Sequence, residues 1–203
     1  MPAGRPRAFV GREKKILDAA LRVFATRGVA ETTVADVAKA GDMGVGAVYR
    51  YFGNREALFR RVVKHAMERV GEIVKAELPE AAFTIDDYEH QLYRIGDRIG
   101  ALVDAEPQLV RFLLEDARGF DAEVDRQLAE LFDLFAGFTE GYLHHGRKRG
   151  YLREDLDLAV TARLVNAMIM EAVEQLGHKS TTRERHKWMY GLVRLMLNGV
   201  RSR

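Results

Sequence analysis

Apolar side chains recur along this chain at helical spacing. Ile16, Ala19, Ala20, Val23 and Phe24 stand at i, i+3, i+4, i+7 and i+8 of a stripe that starts at Arg12, and Gly28 supplies its stop. A shorter stripe, Val34, Val37 and Ala38, follows Thr33, whose hydroxyl can accept from exposed backbone N–H groups while Asp36 three residues on completes a capping box. Gly41 is expected to end that helix in a left-handed conformation. Gly44 then precedes a rhythm in which Val48 and Phe52 share a face, so the pattern predicts helix, tight turn, helix. Asn54 suits an N-cap, and Leu58, Val62, Ala66, Val70 and Ile73 predict one long helix reaching Leu78 and Pro79.

Five further helical patterns follow, over 85–103, 107–118, 121–149, 156–177 and 183–200. Pro107 fits a first helical turn, where its missing N–H is no loss, and Gly119 and Gly150 stand where helices would stop. No strand pattern competes and no internal repeat is evident. The sequence therefore predicts an all-α protein of nine helices. The last two are apolar on two sides: Leu164, Met168 and Ala172 belong to one set, Trp188, Leu192, Val193 and Met196 to the other. Helices of that kind sit inside a bundle or at an interface.

On the second helix of the short pair, the face opposite Val48 and Phe52 presents Val45, Gly46, Ala47, Tyr49 and Arg50. Small residues at the leading end allow close backbone approach, and the N–H groups and dipole of a helix N-terminus favour phosphate oxygens. That suits a recognition helix entering a major groove; a helical hairpin inside an ordinary bundle has similar spacing. Charge fits the first reading, although a merely solvated basic face would carry it equally well. The net charge of +2 is unevenly distributed, with 12 Lys/Arg against 6 Asp/Glu in residues 1–61 and 20 against 24 in the remaining 142. The cationic surplus falls where phosphates would be met. Residues 1–11, with two prolines, two glycines and two arginines, read as a flexible basic arm whose Arg5 and Arg7 suit either a narrow minor groove or attraction to phosphates alone.

Thr33, Val37-Ala38, Gly46, Val48-Tyr49, Tyr51-Phe52 and Arg55-Glu56-x-Leu58 together resemble the helix-turn-helix of the tetracycline-repressor (TetR) family of bacterial transcription regulators. The likeness extends to a first helix ending at Arg27-Gly28 and to Arg149-Gly150-Tyr151-Leu152 followed by Asp155 and Asp157, and is strongest over residues 12–60. Two departures stand out. Gly41-Asp42-Met43-Gly44 replaces the family's Ala-Gly-Val-Ser turn, losing a capping serine, and Arg55 replaces a lysine. Glycine caps only slightly less well, and an arginine could grip phosphate with two donors.

The resemblance implies a helix-turn-helix domain over 12–58 and a ligand-binding and dimerisation domain over 59–203. It implies a homodimer, formed by the last two helices as a four-helix bundle, that binds a double-stranded DNA operator under the control of a small-molecule effector. Tyr49, Tyr51 and Arg55 match backbone-contacting positions, and Thr33 begins a helix crossing the backbone. Effector contacts are expected among Tyr93, Phe112, Phe135, Phe138, Tyr142, Met168 and Ala172, with Arg94, Glu115 and Asn166 as polar partners. Such an aromatic lining suits an apolar or aromatic effector.

Other classes find little support. The absence of cysteine excludes a disulfide framework and cysteine-ligated zinc, and no apolar run approaches the roughly 20 residues that span a bilayer. Without a signal-peptide core the expected location is the cytoplasm. Glu140, His144 and His145 invite a metal reading, yet neither a Glu-x-x-His pair nor His-Glu-x-x-His occurs. No metal or cofactor is expected. With no phosphate loop or nucleophile elbow, an enzyme is a weak alternative, as is a helical binding module that never touches DNA.

Overall fold

The computed structural model describes residues 7–176 and 180–200, and these contain nine α-helices and no β-strand. They are α1 (Arg7–Arg27), α2 (Val34–Ala40), α3 (Val45–Phe52), α4 (Arg55–Lys75), α5 (Ile85–Ala105), α6 (Pro107–Arg111), α7 (Ala122–Arg149), α8 (Leu158–Leu176) and α9 (Thr182–Val200). A short 3-10 turn, Pro79–Ala81, follows α4. The helix expected over 107–118 is α-helical only to Arg111 and widens into a π turn, Phe112–Asp116, in which the adjacent Phe112 and Leu113 are both buried.

The α1 helix begins at Arg7 rather than Arg12, so the arm expected over residues 1–11 overlaps its first turn. Past Pro6 only Gly11 interrupts the pattern, and one glycine costs a helix about 1 kcal/mol relative to alanine, too little to stop it. Arg5 lies outside the described residues.

The described residues form two compact units. The first runs to Glu68 and takes in Gln108–Leu128; the second comprises Arg69–Pro107 and the chain from Ala129 onward. The two units do not divide at 58/59, and part of the chain expected in the effector domain packs with the helix-turn-helix. Aromatic packing explains the assignment. Phe59 meets Phe24 edge-on at 5.0 Å, Phe112 at 5.4 Å and Phe120 at 4.2 Å, and Phe24, Phe59 and Phe112 are all fully buried. Arg60 pairs with Asp121 at 2.8 Å, and Arg111 donates to the Ala25 carbonyl.

The second unit closes on Tyr88, Leu143, Leu152, Val165, Val193 and Leu197. Two glycines permit its close approaches. A Cβ on Gly146 would meet Leu152 and Tyr151 at 2.5 Å, and one on Gly96 would collide with Met189 where α5 and α9 cross. Gly150, at φ +82, turns the chain back after α7 in a conformation that disfavours other residues.

Candidate functional site

The helix pair is locked by its own side chains. Thr33 Oγ1 accepts from the Asp36 N–H at 3.2 Å, while Asp36 Oδ2 accepts from the Thr33 N–H at 3.0 Å and from its hydroxyl at 2.6 Å. Arg27 at the end of α1 reaches the other oxygen of Asp36. The Thr33 hydrogen bonds, and then Arg27, hold the Asp36 carboxyl below the usual range. Thr33 is exposed, with its hydroxyl proton already committed to this box.

Between α2 and α3 the left-handed residue is Asp42, at φ 52, and not Gly41, whose φ is −90. Aspartate tolerates this region better than most residues. Gly41 is needed for space: a Cβ there would strike the methyl of Met43 and press on Ala19. Gly44 caps α3 without a side-chain bond, and its carbonyl accepts from the Ala47 N–H at 2.9 Å.

On α3 only Val48 is fully buried, and Val45, Gly46, Tyr49 and Arg50 are exposed with Ala47 half-buried. Val45 (41%) and Tyr49 (49%) are the only large apolar side chains exposed in the first unit among the described residues. Arg50 is exposed there and makes no side-chain ion pair or hydrogen bond among them. The expected reading face is therefore presented as a surface. Tyr51 is half-buried and packs at a tilt on Phe52, 6.2 Å between ring centroids.

Arg55 stands apart from these residues. Its Nε donates to the Thr32 carbonyl at 2.7 Å and one terminal nitrogen reaches the Val29 carbonyl, so the guanidinium clasps the loop before α2. Asn54 caps α4 as expected, its Oδ1 accepting from the Ala57 N–H at 2.7 Å.

The residues expected around an effector are divided. Phe112 lies in the aromatic core of the first unit and Glu115 is exposed in that unit, whereas Tyr93, Arg94, Phe135, Phe138, Tyr142, Asn166, Met168 and Ala172 belong to the second. Phe112 opens the π turn and is fully buried. Within the second unit, the Tyr142 hydroxyl donates to the Glu77 carbonyl at 2.7 Å and the Tyr93 hydroxyl to Glu89 at 3.2 Å. Burial pushes the Tyr142 phenol up to about 12. Thr139 donates to Asn166 Oδ1 at 3.1 Å, and the buried Asn166 Nδ2 has no partner among the described residues. A separate, polar cleft of about 260 Å³ opens between α5 and α9, lined in part by Asp86, Glu89, Tyr190 and Arg194, and it includes none of the expected effector contacts.

The expected dimer seam divides in the same way. Leu164 is 61% exposed and Trp188 is exposed, but Val193 (1%) and Met196 (3%) lie in the core of the second unit and Ala172 is buried. Met168 and Leu192 are half-buried. Val160 and Leu195, which the sequence reading did not assign to the seam, are exposed on the same two helices. Spacing relates them: Val160 and Leu164 are i, i+4 on α8, Trp188 and Leu195 i, i+7 on α9, so each helix carries an outer apolar ridge. His145, one of the three residues whose metal reading the sequence does not support, donates from Nε2 to the Ala82 carbonyl at 2.8 Å.

Known proteins agree with this geometry. Residues 16–62 match the model for bacterial regulatory proteins of the tetR family. Over 176 residues the chain is 27% identical to the HTH-type transcriptional repressor KstR2 of Rhodococcus jostii, covering 85% of this chain and 83% of that protein. Among solved structures, the fatty acid degradation regulator FadR of Bacillus halodurans superposes with a TM-score of 0.76 at 22% identity, over 93% of this chain and 99% of that one. FadR of Bacillus subtilis, solved in complex with stearoyl-CoA, gives 0.73 at 22% identity, over 92% and 98%. Among the described residues, no helix is long and apolar enough to cross a membrane. The capped helix-turn-helix and the exposed α3 face thus fall within the segment, residues 16–62, that matches the bacterial regulatory proteins of the tetR family, and the chain as a whole shares the fold of solved tetR-type regulators.

Proposed function

We propose that the protein is a homodimeric repressor that binds a palindromic operator and is released by a small effector. The observation that carries the reading is the first unit's surface: its large exposed apolar side chains, Val45 and Tyr49, lie on α3 beside the unpaired Arg50. A helix buried only through Val48 and otherwise slim and exposed suits the major groove. Arg50 can make the bidentate pair with guanine O6 and N7, Val45 or Ala47 can meet thymine methyls, and Tyr49 and Tyr51 can reach the sugar-phosphate chain. Thr33, at the start of α2, contacts backbone through its exposed edge. Arg55 acts from behind, holding the loop before α2 in place. Arg5 and Arg7 add contacts in the flanking minor groove, and the protein works in the cytoplasm, where the operator is.

Dimerisation is supported by the ridges of α8 and α9. Val160, Leu164, Trp188 and Leu195 expose more apolar surface on two helices than a monomer gains by leaving in water. The effector belongs to the second unit. The bound stearoyl-CoA of a structural neighbour supports a ligand with a long apolar part, and the vacant Asn166 amide is a donor suited to a carbonyl. The test is operator binding by the full chain, measured with and without a fatty acyl-CoA. Salt-dependent binding to a palindrome that the acyl-CoA reverses is the expected result; absence of DNA binding at low salt would contradict the reading.

A further inference from the structure

The segment that follows α4 is held by side chains from two other helices. Glu77, only 9% exposed at its side chain, accepts from Arg94 through both oxygens, at 3.2 and 3.0 Å, and from Arg98 at 3.0 Å. Tyr142 donates to the Glu77 carbonyl and Gln91, fully buried, donates to the Leu78 carbonyl at 2.6 Å. One carboxylate therefore faces two guanidinium groups, both still partly open to water. Asp87, which also acts on Arg94 through its charge, is committed to capping α5, where it accepts from the N–H groups of Phe83 and Thr84. Two arginines arranged around one carboxylate are the geometry that binds any carboxylate or phosphate head group.

We propose that Arg94 and Arg98 form an oxyanion site that Glu77 keeps closed, and that a carboxylate or phosphate group on the effector replaces Glu77 there. The proposal rests on the reading of the second unit as the effector-binding half. Displacement would release a residue two positions beyond α4, the helix that begins in the reader at Arg55. The energetics favour such an exchange. A ligand anion recovers the same charge-assisted bonds that Glu77 gives up, and Glu77 gains hydration as it leaves its nearly closed position. The bonds from Tyr142 and Gln91 go to backbone carbonyls, so they survive the exchange and return the segment once the ligand departs.

The test uses the full chain and three probes with one tail: dodecanoate, dodecyl phosphate and dodecanol, with binding followed by calorimetry in the absence of DNA. Removing the internal competitor by Glu77→Gln should tighten binding of the anions by about 10- to 100-fold, because the open site would no longer be a minor population. Joint Arg94→Gln and Arg98→Gln should abolish that preference and leave dodecanol binding as in the wild type. The lysine pair, Arg94→Lys with Arg98→Lys, keeps the charges and should keep part of the anion preference even if the glutamine pair melts early. A preference for one anion over the other identifies the head group. Anion binding that is no tighter in Glu77→Gln, or that is equally tight in the lysine pair, the glutamine pair and the wild type, overturns the proposal, as does anion binding by none of the proteins. Operator binding is measured separately, so a protein that binds DNA but not anions refutes this inference alone.

Discussion

The two units expose their apolar side chains in opposite ways. In the first, Phe24, Phe59 and Phe112 are sealed together, and among the described residues the exposed large apolar side chains, Val45 and Tyr49, are confined to one eight-residue helix. In the second, Val160, Leu164, Trp188 and Leu195 stand out along two adjacent helices. A surface of small side chains with one arginine suits a groove lined by phosphates and base edges, where desolvating large apolar groups gains little. Ridges of leucine, valine and tryptophan suit another protein surface. The contrast teaches that the two exposed patches differ in chemistry, as the proposed DNA and subunit partners do.

The largest expected effect comes from breaking the ridges. Leu164→Asp with Leu195→Asp should give a monomer whose operator affinity falls by about 10²- to 10⁴-fold, the avidity lost when two readers are no longer linked. Circular dichroism should remain that of the folded protein. Val193→Asp should do the reverse, unfolding the second unit because that side chain is core. Sedimentation velocity with a melting curve separates the two outcomes, and a dimeric Leu164→Asp/Leu195→Asp variant would erase the assigned difference between ridge and core.

A smaller effect sharpens the contrast within the first unit. Arg55→Ala removes the clasp on the Thr32 and Val29 carbonyls and should cost about 1.5 to 3 kcal/mol, the usual range for hydrogen bonds from a charged group. Operator affinity should follow that loss of stability, while the dependence of binding on salt keeps its slope. A salt slope reduced by about one for each reader would instead make Arg55 a phosphate contact.

The smallest effect concerns the second unit at high pH. In the folded chain the Tyr142 phenol is favoured in its neutral form, so its ionisation is raised from 10.0 to about 12. Its stabilisation is fully present below 10.0 and is lost as pH rises toward the folded value. Melting temperatures of the wild type and Tyr142→Phe should converge over that interval, and parallel curves would mean that burial does not hold the Tyr142 phenol neutral.

Legibility in the sequence followed range. The capping box of Thr33 and Asp36, the Asn54 cap and the glycine stops at Gly28, Gly119 and Gly150 act over a few residues, and their residue types announce them. The choice between Gly41 and neighbouring Asp42 for the left-handed position could not be read, since both tolerate it, and the need for glycine at 41 lies in its approach to Met43 and Ala19. Arg55 looked like a free cation because its carbonyl partners lie 23 and 26 positions earlier, beyond any local pattern. Glu77 drew no notice for the same reason, its arginines being 17 residues away or more. On α8 and α9 the apolar residues were recognised, but a helix apolar on two sides does not say which side faces inward. Val193 and Leu195 differ only in that choice.

The central claim is that α3 reads DNA as one of a linked pair, and selection of wild-type protein on randomised duplexes tests it most directly. The account predicts an inverted repeat whose half-site centres lie about 34 to 36 Å apart or a multiple of that, each with one dominant guanine. In the parallel selection with Arg50→Ala the preference at that guanine alone should relax, worth about 1 to 3 kcal/mol. A single unrepeated site, or a repeat whose logo is unchanged by Arg50→Ala, would contradict it.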